Sequence, residues 1–127
     1  MYAGDAGVTI VAHNLEDALP AMGQFDAVIS SFAIHDVSHE RKRALYEEIF
    51  QALESNGAFC DLEHVASPTL SLHTGFLQAM SWMDEDPSNE LLDLETQLAW
   101  LREIGFIDVD CHWKWRELAF FSGTKPS

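Results

Sequence analysis

Apolar and polar positions follow two rhythms along this chain. "VTIVA", Val8 to Ala12, and "FDAVISS", Phe25 to Ser31, are short runs rich in branched residues and read as buried strands. "AFCDLEHV", Ala58 to Val65, is a third. Between the second and third, "HERKRALYEEIFQALESNG" sets Leu45, Ile49 and Leu53 on one helical stripe. Ser38 can cap that helix, Glu40 suits its positive first turn, and Asn56-Gly57 supplies a left-handed stop. "DLETQLAWLREIGF" predicts a second clean helix, capped by Asp93 and ended by Gly105, with Leu94, Leu98, Leu101 and Ile104 on one face. "FIDVDCHWKW" and "ELAFFSGTK" alternate as strands do, and their short connection at Trp115 to Glu117 predicts an antiparallel pair. Residues 66–92 break the rhythm. They predict a helix near Leu70 to Met83 and a solvated acidic loop, "MDEDPSNE".

Strands alternating with helices call for an α/β domain. The expected architecture is a mostly parallel sheet with a C-terminal antiparallel hairpin and helices on both faces. Residues 1–127 form one domain, with 66–92 as an insert or lid. In such sheets ligands bind at the carboxyl ends of the strands, here His13-Asn14, Ser30-Ser31 and Glu63-His64.

Composition narrows the classes. The hydrophobic share of 47% fits a globular core. A net charge of −14 with only seven Lys and Arg repels phosphate backbones and argues against DNA. Arg41-Lys42-Arg43, followed by Glu47 and Glu48, reads as a solvated helix face with i,i+4 pairs. The N-terminus lacks a basic-then-apolar signal and no apolar run suits a membrane span, so a cytoplasmic protein without membrane contact is expected. Cys60 and Cys111 read as buried free thiols. The spacing of His13, His39 and His112 suggests no metal site.

The stretches "VTIVAHNLEDALP", "FDAVISSFAIHDV", "LYEEIFQALESNGAFCDLEHV" and "WLREIGFIDVDCHWKWRELAFFSG" together resemble the class I S-adenosylmethionine-dependent methyltransferases. The resemblance implies that Phe25–Ser31 is the fourth of seven strands and that the last two runs are the family's terminal hairpin. The ending "ETQLAWLREIGFIDVDCHWKW" also resembles a small bacterial branch that includes tRNA wobble-uridine modifying relatives. A departure matters here. The family's Gly-rich cofactor loop and ribose-binding acid should precede "VTIVAHNL", and "AGDAG", Ala3 to Gly7, precedes a strand where the loop should follow one. The sequence reads as the C-terminal two-thirds of such an enzyme. The third strand would then pair directly with the fourth, join another chain, or fray.

By this resemblance Asn14 and Leu15 lie where the family contacts the cofactor's adenine; Asn14 equally suits capping a short helix from Leu15. Ser31 and Phe32 match the positions lining the sulfonium end, or form an ordinary strand end. His35 and Asp36 stand where the pattern faces the methyl acceptor, and a histidine there can take a proton from a nucleophile. Glu63, His64 and His73 are candidates for lining the acceptor pocket, or are solvated turn residues. Trp82, Trp100, Trp113 and Trp115 read as core or edge aromatics, and Phe76 to Met83 as the lid over an acceptor.

The resemblance implies an incomplete Rossmann-like methyltransferase sheet and methyl transfer from S-adenosyl-L-methionine to a small molecule or an RNA base, with this stretch alone inactive or cofactor-poor. Two alternatives stay open: an enzyme completed by a partner or homodimer, and a non-enzymatic binding module. An exposed sheet edge further predicts self-association.

Overall fold

The computed structural model describes residues 6–81 and 90–127. Strand β1 (Phe25–Ser31) leads through a single 3₁₀ turn (Ile34–Asp36) into helix α1 (His39–Ala52). Strand β2 (Leu53–His64), helix α2 (Leu70–Ala79), helix α3 (Leu94–Ile104) and strands β3 (Ile107–Trp115) and β4 (Leu118–Thr124) follow. Both expected N-caps form: the side chain of Ser38 accepts from the Arg41 N–H, and that of Asp93 from the Thr96 N–H. These bonds satisfy donors that a helix start otherwise leaves unpaired.

The strands form one sheet in the order β1-β2-β4-β3. β1 runs parallel to β2, whereas β2–β4 and β3–β4 are antiparallel. The sheet is therefore mixed, with a single parallel pairing. The run Val8–Ala12 accounts for the difference from the mostly parallel expectation. It is not a strand and pairs with none among the described residues, and Ile10 is 67% exposed. A lone extended segment gains nothing from β propensity until a neighbour takes its backbone groups. The short helix expected from Leu15 is likewise a turn, closed by the Asp17 N–H on the Asn14 carbonyl.

α1 ends earlier than the Asn56-Gly57 stop implied, because Leu53 already pairs with Phe25 across the sheet. Asn56 does take the left-handed conformation (φ 68°), but inside β2. Gly57 beside it is required by close approach: a Cβ there would meet the Glu54 carbonyl oxygen at 2.8 Å and that of Asp26 at 3.0 Å. Gly105 ends α3 at φ 128°, as expected.

β2 and β4 alternate buried and half-buried positions. Phe59, Ala119 and Phe121 point toward α1 and α3, where Leu45, Tyr46, Ile49, Leu98 and Leu101 complete the core. The other face is more open. α2 touches it at one end, through Phe76 against His64 and Trp115, while Ile29 of β1 stays 78% exposed. Beyond β2, β1 has no strand partner among the described residues. Trp100 packs on the core rim, Trp113 and Trp115 lie exposed on edge strand β3, and Trp82 falls outside the described residues. Cys60 and Cys111 are free and half-buried.

Candidate active site

The parallel pair β1–β2 brings the turn after β1 against the end of β2. His35 sits in that turn with its side chain 13% exposed. Its Nδ1 donates to Glu63 Oε1 at 2.6 Å. Glu63 is fully buried, and its carboxylate also accepts from the backbone N–H of Ile34 (3.1 Å) and of His64 (3.0 Å). Asp36, half exposed, lies 3.2 Å from His35 Nε2. Adjacent residues seldom face each other, yet the 3₁₀ turn curls Asp36 back onto the ring. Glu63 sets the tautomer, so a neutral His35 carries its proton on Nδ1 and presents Nε2 as a base.

The backbone under His35 is fixed from α1. Lys42 is 1% exposed and donates to the carbonyls of His35 (3.1 Å), Val37 (2.7 Å) and Glu90. This corrects the solvated basic face. Arg41 pairs with Glu48, and Arg43 with Glu47 and Glu103, but Lys42 turns inward. Burial lowers the Lys42 ammonium's pKa, and the nearby charges of Glu63, Glu90, Asp36 and Glu16 oppose that.

A second buried carboxylate lies close by. Glu117, at the β3–β4 connection, is 0% exposed and accepts from His64 Nε2 (2.7 Å), His73 Nδ1 (2.6 Å) and the Ser67 hydroxyl. Burial pushes its pKa up, but the three hydrogen bonds more than compensate and hold it below the ordinary carboxylate value. The rings of His35 and His64 are 5.8 Å apart, so the two clusters adjoin. The structure thus gathers His35, Asp36, Glu63, His64 and His73 at one end of the sheet. Glu63 and His64 are buried anchors there, and His73 is half-buried. Lys42 and Glu117 escaped the sequence reading because a charged residue in a basic run, or in a hairpin turn, ordinarily faces water.

Residues 2–60 match the family model described as a methyltransferase domain. No curated protein is a significant sequence relative. Among solved structures, an O-methyltransferase family protein from Burkholderia thailandensis superposes with a TM-score of 0.70 at 19% identity, over 92% of this chain and 35% of that one. The S-adenosylmethionine-dependent methyltransferase SibL gives 0.69 at 20% identity, over 92% and 35%. Human N-acetylserotonin methyltransferase in complex with S-adenosylmethionine gives 0.62 at 17% identity, over 91% and 33%. The chain has a class I methyltransferase fold. It spans about a third of the length of these three solved relatives.

In a methyltransferase fold the strand ends face the cofactor. Two of the expected cofactor positions lie at the end of β1. Ser31 closes the strand, and Phe32 follows at φ 52°, its N–H on the Leu62 carbonyl (2.8 Å) and its side chain 44% exposed. An exposed aromatic face at a strand end suits a sulfonium cation. The other two sit in the turn that α1 holds. The Asn14 side chain accepts from the Glu16 N–H (3.0 Å), and the Leu15 carbonyl accepts from Arg41 Nε (2.7 Å). Arg41 Nη2 also binds the Asp17 carbonyl (2.7 Å), and the Ser38 N–H donates to Glu16 (2.7 Å). This turn is therefore preorganised beside the start of α1. A groove of about 1210 Å³ lies at the other end of β1, lined by Pro20, Met22, Phe25, Glu47 and Gln51, away from His35.

Proposed function

We propose that the chain supplies the acceptor-side machinery of a methyltransferase that methylates a hydroxyl of a small molecule. The observation that carries this reading is the His35–Glu63 pair at the strand ends (2.6 Å). A hydroxyl is a weak nucleophile and needs a base at neutral pH. His35 Nε2 takes the hydroxyl proton as the oxygen attacks the methyl carbon. The imidazolium that forms is held by the Glu63 carboxylate on Nδ1 and by Asp36 beside Nε2. Asp36 then hands the proton on to solvent, since it is half exposed.

S-adenosylmethionine, as bound by N-acetylserotonin methyltransferase, would supply an activated methyl group on a sulfonium. In this chain Phe32 and Ser31 would face its cationic end, and the turn at Asn14 and Leu15 its base. The net charge of −14 favours a neutral or cationic small acceptor over an RNA base. Two free cysteines fit a reducing, cytoplasmic setting; among the described residues no helix is long and apolar enough to cross a membrane.

The test is methyl transfer from labelled S-adenosylmethionine to a panel of phenols and catechols, comparing wild type with His35→Asn. The expected loss in kcat is about 10²-fold or more, with cofactor affinity from calorimetry unchanged. Equal rates for both proteins would sink the reading. Cofactor binding without any transfer would favour the binding module instead.

A further inference from the structure

Helix α2 belongs to the insert that interrupts the sheet alternation. Three consecutive residues of the β3–β4 connection meet it. Trp115 packs against Phe76 with the rings tilted at 58° and their centroids 6.1 Å apart. The Arg116 guanidinium lies against Gly75, where a Cβ would meet Nη1 at 3.2 Å. Glu117 Oε2 accepts a hydrogen bond from His73 Nδ1 (2.6 Å). The residues that receive α2 therefore sit on the opposite side of the sequence from the helix and from His35. Arg116 adopts φ 52°, which reverses the chain so that Glu117 points inward.

The other oxygen of Glu117 binds His64, the neighbour of Glu63 in β2. The His64 backbone N–H donates to Glu63 Oε1, the same oxygen that accepts from His35. One carboxylate thus bridges α2 to the peptide that completes the base's anchor.

We propose that Glu117 is a positioning residue: it latches α2 across the end of the sheet and, through His64, sets the geometry of the Glu63–His35 pair. The catalytic half of this proposal rests on the reading of His35 as the base. The latch half does not. Among the described residues, the groups that donate to Glu117 are His64 from β2, Ser67 from the loop after it and His73 from α2, so one carboxylate joins three elements.

The experiment is amide hydrogen exchange on the chain, paired with an NMR titration of the imidazoles. Glu117→Gln keeps the shape and removes the charge. It should lower protection of the Leu70–Ala79 amides about tenfold or more, while β2 and β4 stay protected. It should also displace the titration midpoint of His35, which the variant does not touch. His73→Asn should loosen α2 equally and leave His35 nearly unmoved, since it leaves the Glu117–His64 bond in place. Unchanged α2 protection in His73→Asn overturns the latch, even if Glu117→Gln fails to fold. An unmoved His35 midpoint in a folded Glu117→Gln overturns the coupling. Neither result depends on methyl transfer, so the failure of His35 as a base is seen separately, in the His35→Asn assay.

Discussion

Asp61 and Glu117 are both carboxyl groups with no exposure to solvent, and the structure treats them in opposite ways. Asp61 lies in β2, under the apolar layer of α1 and α3, and neither oxygen has a hydrogen-bond partner among the described residues. Burial, and then the charge of nearby Glu63, push its pKa well above the ordinary value, so it is held protonated. Glu117 lies at the end of the sheet with three donors around it and stays ionised. Neither is exposed, but burial presses harder on Asp61, and only Glu117 has donors around it. The supply of donors decides the charge, because a buried carboxylate costs several kcal/mol unless hydrogen bonds replace its water. The sheet interior is thus built for packing and its end for charge.

The contrast can be broken in order of effect. Phe59→Ala opens the apolar layer between the sheet and the helices and should cost about 3–5 kcal/mol, read from the denaturant midpoint at constant m. Glu117→Ala removes the carboxylate that accepts from two histidines and a serine and should cost about 2–4 kcal/mol by the same measurement. The acid dependence separates the two carboxyls. Glu117 has a depressed folded pKa, so its contribution is present above its unfolded value of 4.5 and is lost as pH falls through the lower folded value. The stability gap between wild type and Glu117→Gln should close on acidification. Asp61 has a raised folded pKa, so it costs stability as pH rises above its unfolded value of 3.8. Asp61→Asn should therefore melt at or above wild type near neutrality, with the advantage vanishing in acid. Arg41→Gln, which breaks the pair with Glu48 near the surface, should cost only about 0.2–1 kcal/mol.

A further test concerns the open side of the sheet. Phe25, Ile29 and Phe32 leave apolar surface along β1, whose far edge is unpaired among the described residues. We expect the chain to self-associate with rising concentration in sedimentation, and Ile29→Lys to shift it toward monomer. A monomer at all concentrations would remove this expectation.

The regular elements were legible because their signals are local. Ser38 and Asp93 cap their helices within three residues, and the stripes Leu45–Ile49 and Leu94–Leu98–Leu101 need no knowledge of partners. Val8–Ala12 misled because a branched run states a preference, while a strand needs a neighbour. The His35–Asp36 dipeptide stood out in the sequence, but its anchor did not. Glu63 reaches it from 28 positions away, and Glu117 reaches His64 from 53. Lys42 shows the same limit: nothing in "ERKRAL" says which of three cations turns toward the backbone.

The place of β4 in the sheet has a consequence for how the protein is made. β2 sits in the middle, and one of its two neighbours is the last of the described strands, Leu118–Thr124. Lys125 then closes the join, exchanging backbone bonds with Asn56 and Gly57. On the ribosome β1 and β2 emerge first, and the central strand stays open on one side until Leu118–Thr124 has followed them. That closure joins residues some sixty positions apart, which is slow to form and leaves the strand exposed to other chains meanwhile. A change in β4 would therefore be felt at the centre of the sheet, where a change in β3 would be felt at its rim.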